Sequence, residues 1–86
     1  MPRISRFYGI SIEMYHKEHG IPHLHARYSG EVASISIERL EVLGGRLSGR
    51  ALALVREWAR THQSELGANW MLAREQRPLS SIAPLE

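Results

Sequence analysis

Tyr8-Gly9-Ile10-Ser11-Ile12-Glu13-Met14 alternates large apolar residues with small or polar ones. Successive side chains on a strand point to opposite faces, so this period of two predicts a half-buried strand with Tyr8, Ile10, Ile12 and Met14 turned inward. Outward from it, residues 16–22 contain Gly20 and Pro22 and read as a connecting loop. A second strand is expected over His23 to Tyr28, with Leu24, Ala26 and Tyr28 on one face and His23, His25 and Arg27 on the other. Ser29-Gly30-Glu31 predicts a hairpin turn, and a third strand over Val32 to Ile37 buries Ala33, Ile35 and Ile37. Leu40 to Leu43 either continues it or forms a short fourth strand before Gly44-Gly45 ends the sheet.

The remainder is helical. Ser48 is placed to cap a helix, and Ala51, Val55, Trp58, His62, Leu66, Trp70 and Ala73 follow at spacings of three and four. The stripe keeps its phase through Gly67, which predicts one long helix or two nearly collinear ones broken at Gly67, where glycine costs up to about 1 kcal/mol. The expected fold is α+β in two layers: three or four antiparallel strands in residues 1–47, a helix over 48–76, and an extended tail over 77–86. Leu79, Ile82 and Leu85 recur every third residue, as in a tail lying along the domain.

With 86 residues the chain has room for one small core, and 43% apolar with 23% charged residues is the balance of a folded domain. There is no cysteine, which excludes disulfides, thiolate chemistry and Cys-ligated metal centres. There is no aspartate, and ten arginines and Lys17 against nine glutamates leave a net charge of +2, which permits a nucleic-acid partner without requiring one. Near-exclusive use of arginine favours bidentate phosphate contacts, although no contiguous basic run occurs. No apolar run approaches the roughly 18 residues that cross a bilayer and no signal-peptide core follows the N-terminus, so the expected location is cytoplasmic. A small sheet with one uncovered face, together with two tryptophans on the helix, leads one to expect self-association or a protein partner, with Trp58 read as core in preference to interface and Trp70 as evenly either.

Four of the five histidines, His16, His19, His23 and His25, crowd into ten residues. His23 and His25 stand two apart on one strand face, so their rings converge on one small object, and Arg27 extends the same face. Three readings are open. The imidazoles serve as general base and acid in RNA cleavage, with Arg27 holding the phosphate and no cofactor required. Alternatively His19, His23 and His25 bind a metal, with Glu13 or Glu18 as a further ligand. In the third reading the rings are structural, as is the ordinary reading of His62 on the apolar stripe.

Further stretches are distinctive: Ile4 to Ile10 with Met14-Tyr15, the segment His19-Gly20-Ile21-Pro22-His23-Leu24-His25-Ala26-Arg27-Tyr28, Ile37 to Leu43, Arg50 to Leu54, Glu57-Trp58-Ala59, His62 and Asn69-Trp70. Together they resemble the bacterial domain-of-unknown-function family four-one-six-zero over essentially the whole chain. The family's loop typically reads Gly-Pro-Pro-His where this chain has Gly20-Ile21-Pro22-His23. The resemblance carries over His19, Pro22, His23, His25, Arg27, Trp58, His62 and Trp70. It implies a small protein of a toxin–antitoxin-like gene pair, encoded beside a member of unknown-function family two-four-four-two, and no agreed enzymatic activity. The expectation is therefore a toxin–antitoxin component, the toxin in preference to the antitoxin, acting on or binding RNA as a metal-independent ribonuclease. His23 and His25 form the acid/base pair, Arg27 the phosphate clamp, and His19 and His62 support them. The alternatives are a non-enzymatic module binding the adjacent gene product, or a second copy, through Trp70 and Trp58, and a metal-binding protein using His19, His23 and His25.

Overall fold

A computed structural model describes residues 3–16 and 18–86. Strands β1 (Arg3–Phe7), β2 (Ile10–Glu13), β3 (His23–Tyr28), β4 (Glu31–Ser36) and β5 (Val42–Gly45) form one antiparallel sheet in sequence order. Helices α1 (Gly49–Thr61) and α2 (Gln63–Arg74) follow. The class is α+β as expected, with five strands in place of three or four and two helices in place of one.

The additional strand arises at Tyr8-Gly9. Both residues take positive φ, 51° and 80°, and Phe7 pairs directly with Ile10 across them. Two consecutive positive φ values in a two-residue loop match the right-handed twist of the flanking strands, so the chain reverses there. Tyr8 is consequently 59% exposed and does not continue the inward row of Ile10, Ile12 and Met14. Ser29 and Gly30 repeat the device at φ 50° and 84°, closing β3 on β4 with Tyr28 opposite Glu31. Gly45 is fixed for another reason. Its φ is +76°, and a Cβ there would lie 2.1 Å from the Val32 carbonyl oxygen, so no side chain fits.

Ser48 precedes α1 as expected, but its side chain makes no capping bond; its backbone N–H instead donates to Glu31 Oε1 at 2.7 Å. The helical region breaks at His62, not at Gly67, which lies inside α2 with open space around it. Three interactions account for the position. The Thr61 hydroxyl donates to the Trp58 carbonyl at 2.9 Å, the His62 N–H turns back to Ala59 at 3.0 Å, and the Gln63 amide reaches the carbonyls of Ile37 and Glu38. His62 leaves the helical region at φ −125°, ψ 22°.

The core lies between the helices and the sheet face carrying Ile10, Ile12, Leu24, Ala26, Ala33 and Ile35. Ala51, Val55, Trp58 and Ala59 from α1 and Leu66, Trp70 and Ala73 from α2 complete it. The tail is part of the structure. Ile82 is buried and its N–H donates to Ile4 in edge strand β1 at 2.8 Å. The Trp58 indole N–H donates to the Ala83 carbonyl at 2.7 Å. Buried Asn69 both donates to and accepts from the Ser80 backbone, each at 2.8 Å. Asn69→Ala should thus leave two backbone groups of Ser80 unpaired, cost about 2 kcal/mol, and speed hydrogen exchange of the Ile82 amide well beyond that of β3 amides. Equal acceleration throughout the sheet would refute a tail-specific role.

Candidate functional site

Because side chains alternate along β2, β3 and β4, the face opposite the core collects their polar residues. The register aligns Glu13, His25 and Ser34 as one row across three strands, with Ser11 beside Arg27 and His23 beside Ser36 in the flanking rows. The connection between β2 and β3 returns over this face and brings Tyr15 and Glu18 to it.

Glu18 is the hub. His25 Nε2–H donates to its Oε1 at 2.6 Å, and His23 Nε2 lies 3.5 Å from the same oxygen. These three atoms all fall within 4.8 Å of one another. The other ring nitrogens are engaged as well: His23 Nδ1–H donates to the Ile21 carbonyl at 2.8 Å, and His25 Nδ1 lies 3.4 Å from Ser34 Oγ. A carbonyl only accepts, so in neutral His23 the proton sits on Nδ1 and the Nε2 lone pair is free. The two rings meet edge-on with centroids 5.1 Å apart; Tyr15 packs on His25 at 4.7 Å and Trp70 on His23 at 5.0 Å. Burial opposes ionisation of Glu18, but its hydrogen bond with His25 and the charge of both imidazoles outweigh this and hold its carboxyl below the usual range.

A second cluster adjoins the first. Glu13 accepts from Tyr15 Oη at 2.5 Å, from Ser11 at 3.2 Å and from Arg27 at 3.5 Å. Burial again raises its carboxyl, and the hydrogen bonds from Tyr15, Arg27 and Ser11 together overcome that and lower it. The same contact pushes the Tyr15 phenol up. The Arg27 side chain is 45% exposed and its contact with Glu13 is long, so the guanidinium is accessible to an anion.

A carboxylate ionising below its unfolded value stabilises the fold above that value and ceases to do so as pH falls through the folded one. Glu13→Gln should therefore cost about 1–2 kcal/mol near pH 7 and much less near pH 3, read as urea midpoints of both proteins at both pH values. An equal cost at the two pH values would show that the charge on Glu13 is immaterial.

Of the residues singled out from sequence, His23, His25 and Arg27 share the face as expected. His19 is exposed and lines a shallow cavity of about 250 Å³ with His23 and Ser34, outside the three-atom cluster, in which Glu18 supplies the third donor. His62 belongs elsewhere: Nδ1–H donates to Glu65 at 2.5 Å and its ring packs on Trp58 at 5.3 Å, because the helices cover the opposite face of the sheet. His16 donates to the Arg77 carbonyl at 3.0 Å. Trp58, read as core in preference to interface, is 0% exposed and lies in the core, and Trp70, open to either reading, joins it there at 3%, so neither ring is presented to a partner. Tyr15 and Ser34 were not foreseen as site residues, and Glu13 and Glu18 were singled out only as further ligands of a metal; Glu13 and Ser34 follow from strand alternation once the register is known. A larger cavity, about 550 Å³ between Tyr8, Tyr28, Arg50 and Leu85, is lined by none of these histidines.

The family model described as Domain of unknown function (DUF4160) matches residues 9–71, most of the chain and all of this face. The chain belongs to that family. No curated protein and no solved structure matches it.

Proposed function

We propose that the protein acts on RNA, as the toxin of a bacterial toxin–antitoxin pair, and cleaves the phosphodiester by histidine acid/base catalysis. The observation that carries this reading is the pair of imidazoles sharing one carboxylate beside a half-exposed guanidinium on the polar face of the sheet.

His23 is the base. With Nδ1–H committed to the Ile21 carbonyl, Nε2 accepts the proton of the 2′-hydroxyl as the 2′-oxygen attacks phosphorus. His25 is the acid. Glu18 stabilises its imidazolium through Nε2–H, and Nδ1–H gives a proton to the departing 5′-oxygen as the P–O5′ bond breaks. The products are a 2′,3′-cyclic phosphate and a 5′-hydroxyl. Arg27 faces the charge on the non-bridging oxygens, released from its 3.5 Å contact with Glu13. The cognate protein, of the two-four-four-two type, neutralises the toxin by covering this face.

The test is expression in bacteria of the wild type and of His23→Ala/His25→Ala. Growth arrest with RNA breakdown is expected only for the wild type; equal growth and intact RNA in both would remove the catalytic reading.

A further inference from the structure

We propose that Glu18, His23 and His25 form a binding site for one divalent d-block cation of the zinc type, and that occupancy switches the acid/base site off. The inhibition rests on the RNA-cleavage reading; the binding does not.

Three features of the cluster point to a cation. First, the donor set is two imidazoles and one carboxylate, a combination suited to zinc and its neighbours among the transition metals. Second, the donors already have nearly the required separation. Ligands held about 2.0–2.1 Å from a tetrahedral zinc lie about 3.3–3.4 Å apart. The contacts of Glu18 Oε1 with His25 and His23, 2.6 and 3.5 Å, bracket that value, and all three donor atoms lie within 4.8 Å of one another, so small side-chain shifts form the site. Third, the outer contacts are those that orient metal-bound imidazoles. His23 Nδ1–H is anchored on the Ile21 carbonyl, and Ser34 Oγ stands 3.4 Å from His25 Nδ1, ready to accept its proton when Nε2 is the ligand. Ring N–H groups held by a carbonyl or hydroxyl fix which nitrogen faces the metal.

The arrangement of these side chains also contains a mismatch that a cation removes. With His23 neutral, its Nε2 lone pair faces a carboxylate oxygen, acceptor against acceptor. A proton or a metal ion between them converts that repulsion to attraction. The metal takes the lone pair that His23 needs as base, and it moves the His25 proton from Nε2 to Nδ1 and severs the Glu18 hydrogen bond that supports His25 as acid. One ion therefore disables both roles. The side chains are 11%, 18% and 28% exposed for His23, His25 and Glu18, which leaves a path for a small ion and a position for water as fourth ligand.

The experiment is calorimetric titration of untagged protein with Zn²⁺, together with Co²⁺ absorption spectra, for the wild type, His25→Ala, Glu18→Gln and His19→Ala. Expected are one equivalent bound by the wild type, loss of binding in His25→Ala, weakening of tenfold or more in Glu18→Gln, and little change in His19→Ala. Substoichiometric binding, or binding that survives His25→Ala and fails in His19→Ala, would overturn the site. In parallel, RNA cleavage by purified wild type is expected to fall as Zn²⁺ reaches one equivalent and to return with chelator. Stimulation by Zn²⁺ would overturn the inhibition. Binding without cleavage in any state would defeat the RNA reading while the metal site stands, and cleavage without binding would do the reverse.

Discussion

Trp58→Ala is expected to lower the unfolding free energy by about 3–5 kcal/mol, the range for removing a fully buried large aromatic side chain. Three losses add up at this position. The indole is fully buried and packs on Phe7 at 5.2 Å, so truncation leaves a cavity between α1 and the sheet. Its N–H holds the Ala83 carbonyl, so the tail loses a fastening point. Its ring also supports His62, whose backbone forms the joint between the helices. Small domains have a total stability of about 5–15 kcal/mol, so the variant should be largely unfolded at moderate urea concentrations. Trp58→Phe separates the contributions: it keeps most of the packing, loses the indole hydrogen bond, and should cost about half as much. A Trp58→Ala cost below about 1 kcal/mol, measured from urea midpoints, would mean that the helices do not depend on this contact.

The largest effect on activity should come from His23→Ala/His25→Ala in the RNA assay. One well-placed acid or base contributes about 10²–10⁴-fold, and groups acting as a unit are not additive, so the double variant should lose little more than the worse single one. Glu18→Gln discriminates between roles. It preserves shape but removes the charge that supports imidazolium at His25, and should reduce cleavage by a smaller factor than His25→Ala. If the double variant cleaved RNA within about twofold of wild type, the imidazoles would not be the catalysts. His23 also packs against Trp70, so circular dichroism of each variant must show the native fold for the comparison to hold.

Strand alternation made β2, β3 and β4 legible, and with them the common face of His23, His25 and Arg27. It misled at Tyr8, where a large apolar residue at the next alternate position concealed a turn, because the reversal depends on positive φ at both Tyr8 and Gly9. The helix joint was hidden for a related reason. The apolar stripe runs unbroken past His62, and the interruption comes from side-chain hydrogen bonds of Thr61 and Gln63 that periodicity does not register. Glu18 illustrates the limit for the site. A carboxylate in a loop acquires its two imidazole partners only when the chain between β2 and β3 returns over the sheet, and no spacing rule specifies that return. The tryptophans were ambiguous because amphipathic spacing marks a covered face without saying whether the cover is the sheet or another protein.

The bonding of residues 80–83 has a consequence for biosynthesis. These residues are translated after every element they tie down, and they supply a partner for the edge strand β1. On a ribosome, a nascent chain holding all five strands and both helices still lacks the hydrogen bonds that residues 80–83 make to Ile4, Trp58 and Asn69. Those bonds, and with them the fastening of the tail along β1, form only once residues 80–83 have left the ribosome.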